Sequence, residues 1–460
     1  MNIAFVPIDN RPVCYSLAKQ IADIDSEINL FLPDKSLLGD LTKTADIEGI
    51  LNWLENLSQI DKVVVALDTI AYGGLVPSRR SNDSFETIKK RIDRLKNILQ
   101  KKHAQVYAFS SIMRISNNNV NEEEKEYWNL YGKKIFKYSY DYHKNGKADI
   151  DIPEDILKDY LQTRNRNFEI NKLYIKWSQE HFLNTLVYSK DDCAEYGLNV
   201  AEAKVLEIHI TANKLNALVK TGADEIPLSL LGRAILDEYG KKIKIAPVYT
   251  EPDYTAKISR YEDVSVCDSV KSQIELIGAE YCENIEETDL VLFVNNFKEE
   301  QGELVMGVDV EGFKGTLDMP QKPYLIADIR NANGADNDFV HQLLKHKPDF
   351  KNFLGYGGWN TTGNTLGSIL CCAIVKYLAK TPDINAFKKV QAIRFLDDWA
   401  YQANVRKKLK SYLSEISVSN LQREMLPYEE TIKKYLSYDF KEPEYSYPWN
   451  RFFEIELEIV

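Results

Sequence analysis

Histidine and cysteine are both scarce in this chain, at six residues each out of 460. The cysteines, Cys14, Cys193, Cys267, Cys282, Cys371 and Cys372, have no metal-ligand spacing, and the vicinal pair falls in a helical pattern. Neither a zinc site nor a disulfide framework is expected, and reduced thiols suit a cytoplasmic protein. His341 and His346 are the closest histidine pair, and a spacing of five keeps them from sharing a helix face as an H-E-x-x-H pair does. Long apolar runs are missing too. No stretch reaches the ~18 consecutive apolar residues of a membrane span, and the N-terminal Met1-Asn-Ile-Ala-Phe-Val-Pro7 has no basic flank, so neither a secretory signal nor a membrane partner is expected.

Positive charge is short: 58 Lys and Arg stand against 69 Asp and Glu, a net charge of -11. Phosphate backbones are bound by clustered cations that release counterions, so a nucleic-acid partner is not expected. The chain also lacks a G-x-S-x-G elbow, a G-K-[ST] phosphate loop and a G-x-G-x-x-G opening a helix. Nucleophilic-serine and dinucleotide chemistry therefore find no support, and no cofactor or metal is assigned. Oligomeric state is not fixed by anything in the sequence.

What is there is a long alternation of short β-prone runs with amphipathic helices, the pattern of a parallel α/β protein. Strands are expected at Ile3 to Ile8, Ile28 to Leu32, Val63 to Leu67, Val106 to Phe109, Leu186 to Tyr188, Ile243 to Tyr249, Leu290 to Val294, Tyr324 to Ala327 and Asn352 to Leu354. Between them lie helices such as Phe85 to Gln100, with a helical excursion over about 120–182, a helix from Val200 to Val219, and a β-hairpin excursion over Lys298 to Leu317. Eight or nine such units in series point to a (β/α)8-barrel-like domain over 1–380 and a helical C-terminal extension over 381–460. The alternative is two doubly wound α/β domains, split near residue 240.

Polar residues recur where these strands end. Asp9 and Arg11 follow the first, Asp68 the third, Arg114 the fourth, and Asp191 and Asp192 the fifth. Asp328, Arg330, Asn331, Asn333 and Asp336 follow the eighth, and Trp359, Asn360 and Asn364 the last. Strand ends of a parallel sheet gather on one face, so the set is expected to form a pocket. Each member also has a plain structural reading, as a turn residue or a helix cap. In Gly355-Tyr-Gly-Gly-Trp-Asn-Thr-Thr-Gly-Asn-Thr-Leu-Gly367, glycines for close approach, a flat Trp359 and the amides of Asn360 and Asn364 suit a sugar.

Four segments carry a resemblance: Pro7-Ile-Asp-Asn-Arg-Pro-Val13, Leu67-Asp-Thr-Ile-Ala-Tyr-Gly-Gly-Leu-Val-Pro-Ser-Arg79, Thr221-Gly-Ala-Asp-Glu225 and Gly358-Trp-Asn-Thr-Thr-Gly-Asn-Thr-Leu-Gly367. Through them the chain resembles a bacterial domain-of-unknown-function family, number 4127, over almost its whole length, which implies no particular activity. A fainter similarity, a strand ending in Asp191-Asp192 with Trp359-Asn360 much later, is to the O-GlcNAcase and hyaluronidase-like glycoside hydrolases. That similarity implies that Asp191 orients a substrate acetamido group, Asp192 acts as acid and base, and Asn360 binds sugar. It departs from the pattern at Tyr188-Ser189-Lys190.

Three functions are carried forward. The first is a glycoside hydrolase acting on a small or oligomeric sugar through Asp191 and Asp192, with Asp9, Arg11, Asp68, Arg114, Asp328, Arg330, Asn331, Asn333, Trp359, Asn360 and Asn364 binding substrate. The second is a divalent-metal hydrolase or lyase using Asp9, Asp68 and the aspartate pair. The third is a non-catalytic protein that grips an anionic ligand through Arg11, Arg114 and Arg330.

Overall fold

The computed structural model describes residues 1–191, 194–412 and 414–459. The chain divides into two compact units, one made of Met1–Asn10 and Asn29–Leu230, the other of Arg11–Ile28 and Leu231–Val460. The first holds six strands: β1 (Asn2–Val6), β2 (Asn29–Phe31), β3 (Lys62–Ala66), β4 (Gln105–Ile112), β5 (Thr185–Lys190) and β6 (Ala217–Thr221). All pair in parallel, in the order β2-β1-β3-β4-β5-β6. Central β3 is buried along its whole length, which is why its valines run unbroken instead of alternating with polar residues.

The second unit holds β7 (Lys244–Tyr249), β8 (Glu280–Tyr281), β9 (Leu290–Asn295), β10 (Gly302–Glu303), β11 (Tyr324–Asp328), β12 (Asn331–Ala332) and β13 (Phe353–Gly357). Five of these form a parallel sheet in the order β13-β11-β9-β7-β8, while β10 and β12 pair separately. Each sheet thus places its first strand between its second and third, so the winding reverses there: at β1/β3 in one unit and at β7/β9 in the other. Such a reversal opens a crevice beyond the carboxyl ends of the strands.

The α/β class holds, but the strands form two open sheets where one eight-stranded barrel was the leading expectation. Among the described residues no pairing closes either sheet; β2 and β6 are edges of the first, β8 and β13 of the second. Apolar runs identify buried parallel strands, yet they carry no information on which strand lies beside which. Two edge strands also escape the pattern. The expected helix over Val200 to Val219 ends at Ala212, and β6 follows, because Leu215 to Val219 satisfies both periods equally over so short a run.

The helical excursion is present as two helices, Trp128–Asn145 and Glu154–Gln179, packed around Met113, Ile115, Trp128, Ile135 and Tyr160. The expected hairpin over Lys298 to Leu317 reduces to the short β10, bridged antiparallel to Val308. Residues 381–460 are mostly helical and end in an antiparallel pair, β14 (Glu444–Ser446) with β15 (Glu456–Glu458). They lie in the same unit as the second sheet, as does Arg11–Ile28, which Asp383 N tethers by donating to Ile24 O at 2.8 Å. No helix among the described residues is long and apolar enough to cross a membrane.

Candidate functional site

In the first unit, the reversal point is tied together by Thr69, whose hydroxyl donates to the carbonyl of Pro7 at 2.7 Å and so fixes the loop after β1 against the helix Leu67–Tyr72 that follows β3. That helix is stopped after two turns by Gly73, at φ 91, where the left-handed backbone suits glycine. Asp68 lies in its first turn. The carboxylate is buried and accepts from Ser111 N, at the end of β4, at 2.7 Å. Burial dominates over this bond and pushes its pKa up to about 7, so near neutral pH Asp68 can hold a proton.

Asp9, after β1, and Asp224, after β6, bring carboxylate oxygens within 4.8 Å of one another, and both residues are buried. Three strands separate β1 from β6 in the sheet, so the loops beyond the strand ends must fold over the edge to bring these side chains together. Glu225, next to Asp224, is wholly buried and accepts from Ala223 N at 3.1 Å.

Beyond β4 and β5 lies a second charged group. Arg114 reaches Asp191 at 3.2 Å, Glu123 at 2.8 Å and Glu124 at 3.2 Å. Glu124 is shared with the buried Arg79 at 3.3 Å. Cations and carboxylates alternate, so each charge faces one of opposite sign, with Arg79 and Glu124 the buried pair at the centre. Strand β5 ends at Lys190, and Asp191 follows it. Asp192 and Cys193 lie outside the described residues.

The second unit builds a different kind of centre. Asp328 accepts from the Asn295 amide at 2.8 Å, from Asp336 N at 2.8 Å and from the Tyr356 hydroxyl at 3.3 Å. Burial, reinforced by Asp336, pushes its pKa up to about 8. Arg330 is 3.0 Å from Glu251 and 3.3 Å from Asp336, and donates to the carbonyl of Glu311 at 3.2 Å. Asn333 and Asn360 both have φ 60, and Asn333 N donates to the Asn360 carbonyl at 2.8 Å, so the two asparagines shape paired turns. Asn331 lies in β12 beside Gly302. Trp359 is 3 % exposed with its ring edge-on to Phe453, so packing, not an open stacking face, is what it supplies. Asn364 donates its backbone N–H to Thr361, the cap of the helix Thr362–Leu378, while its Oδ1 is buried with no partner among the described residues. Arg11 lies with its guanidinium 4.9 Å from the centre of the Trp449 ring.

The strand-end residues are therefore divided between the units: Asp9, Asp68, Arg114 and Asp191 belong to the first, where Arg114 meets Asp191, and Arg11, Asp328, Arg330, Asn331, Asn333, Trp359, Asn360 and Asn364 to the second, where Asn333 meets Asn360. Arg79, Glu123, Glu124, Asp224 and Asn295 were not expected in either, whereas Asp336, expected among the polar residues after the eighth strand, contacts both Asp328 and Arg330. Asp224 was visible in Thr221-Gly-Ala-Asp-Glu225, but the strand before it was not, and Glu123 and Glu124 read as the start of a helix that begins only at Trp128.

The family described as protein of unknown function (DUF4127) matches residues 3–458. No curated protein matches the chain.

Proposed function

The chain belongs to the DUF4127 family, whose description names no reaction, and from the strand ends of its first unit we propose that it is a glycoside hydrolase. The observation that supports this reading is a division of labour between two carboxyl groups. Asp68 is buried and keeps a proton up to about pH 7, while Asp191 is ion-paired with Arg114. Carboxyl groups placed in contrasting environments are how one site supplies both an acid and a base. Asp68 donates its proton to the glycosidic oxygen as the C–O bond breaks and the electron pair leaves with the alcohol. Asp191 takes a proton from the water that adds to the anomeric carbon.

Strands β3 and β5 flank β4, so the segments that carry Asp68 and Asp191 leave the sheet at next-but-one strands. The reading is tested on a panel of chromogenic glycosides. Asp68→Asn keeps an acceptor for Ser111 N but has no acid proton, and should lower kcat by about 10²–10⁴-fold. Because Asp68 must be protonated to act, the wild-type rate should fall as pH rises through about 7. Asp192→Asn is the control: if it abolishes turnover while Asp68→Asn does not, the acid is Asp192, and if no glycoside is turned over the reading fails.

A divalent-metal hydrolase or lyase is the second reading, favoured by the close approach of Asp9 and Asp224, two carboxylates of the kind that hold Mg²⁺. Activity lost with EDTA and restored by Mg²⁺ or Mn²⁺ would select it. Simple anion binding has the least support, since Arg114 and Arg330 already hold carboxylates of the protein itself.

A further inference from the structure

A surface groove of about 390 Å³ lies in the first unit between the loop after β4 and the helix Trp128–Asn145, walled by the rings of Phe136 and Tyr140 and rimmed by Asn117, Lys133, Lys137 and Asp141. Its shape is set by close packing. The Asn118 carbonyl would be 2.1 Å from a Cβ at position 132, so only Gly132 lets the loop approach, and Asn119 Oδ1 accepts from Lys133 N at 2.9 Å. Tyr140 is held edge-on by Tyr196 at 5.4 Å, and the Tyr196 loop is pinned in turn by Gly197 N donating to His143 Nδ1 at 3.0 Å.

The polar rim is unevenly committed. Lys137 is paired with Asp141 at 2.5 Å, whereas the Lys133 ammonium and the Asn117 amide have no partner among the described residues. We propose that this groove is a subsite for an acidic sugar, a pyranose carrying a carboxylate. The ring's apolar face lies on Phe136 and Tyr140, the carboxylate meets Lys133, and hydroxyls meet the Asn117 amide. The volume falls within the roughly 300–1,000 Å³ of small-ligand sites. Asn117 is three residues from Arg114, a reach of at most about 11 Å, so its end of the groove lies near the Arg114–Asp191 pair. The choice of a sugar rests on the glycosidase reading above; the acidic character comes from Lys133.

The test is calorimetric titration of the whole protein with an oligosaccharide containing glucuronic acid and with a neutral one of equal length. The acidic ligand should bind, the neutral one more weakly. Lys133→Gln and Asn117→Ala, both at exposed positions, should each weaken the acidic ligand, Lys133→Gln by about tenfold or more. Absence of binding by wild type, equal binding of both sugars, or binding untouched by Lys133→Gln would overturn the proposal. Binding is read without turnover, so failure of Asp68 as the acid leaves this result independent, and turnover without acidic-sugar binding removes the subsite alone.

Discussion

Arg330 is held by Glu251, Asp336, Asn295 and the carbonyl of Glu311, all within its own unit. A guanidinium in that position is paired with two carboxylates before any ligand arrives. Replacing it by Leu leaves Glu251 and Asp336 without their cation in a desolvated setting, which costs about 3–5 kcal/mol. Arg330→Leu should therefore shift the urea midpoint of the unit strongly downward. An unfolding free energy within about 0.5 kcal/mol of wild type would instead release Arg330 for the ligand-gripping role its sequence position suggests. That Arg330 and Asp328 stand at a strand end was legible, because β11 is a clean apolar run closed by polar residues. Asp336, a few residues on, was legible with them; Glu251, just after β7, and Asn295, at the end of β9, were not, because only the lateral order of β7, β9 and β11 makes them neighbours.

At the scale of elements, the places where short-range signals agree were read well. Helix Phe85–Lys102 begins at a Ser84 cap, carries Ile88, Ile92, Leu95 and Leu99 on one face, and ends in a left-handed His103. Edge strands β6 and β8 were missed because five residues and two residues are too few to establish a period. Glycines mark the positions where geometry has least freedom. Gly73 ends the Asp68-bearing helix at φ 91, and an added Cβ would meet Thr44 Cβ at 3.0 Å. Gly73→Ala should cost about 1–2 kcal/mol from the left-handed backbone alone, measured by thermal unfolding. The same change should loosen the turn that positions Asp68, so turnover should fall further than stability explains. Unchanged stability would mean that the turn relaxes to another conformation.

The whole molecule repeats one winding order in two units without a sequence repeat of fixed period, and each unit places a carboxyl with a raised pKa at the end of a strand: Asp68 near 7 and Asp328 near 8. The consequence for stability runs against the usual carboxylate behaviour. Both groups start from 3.8 when unfolded, so between that value and about 7 or 8 the folded protein binds more protons than the unfolded chain. Unfolding free energy then falls as pH rises through this window, and the loss is complete only above the folded values. With 1.36 kcal/mol for each pKa unit, Asp68 alone accounts for up to about 4 kcal/mol. Carboxylates held low by hydrogen bonds, Asp40 and Asp83, act in the opposite sense only below about pH 4. Stability should therefore peak on the acid side, with a higher Tm at pH 5.5 than at pH 8.5. Scanning calorimetry across that range checks it: Asp68→Asn and Asp328→Asn should each flatten the pH dependence of the transition of their own unit, and a Tm that rises with pH in the wild type would place both carboxylates in the charged state.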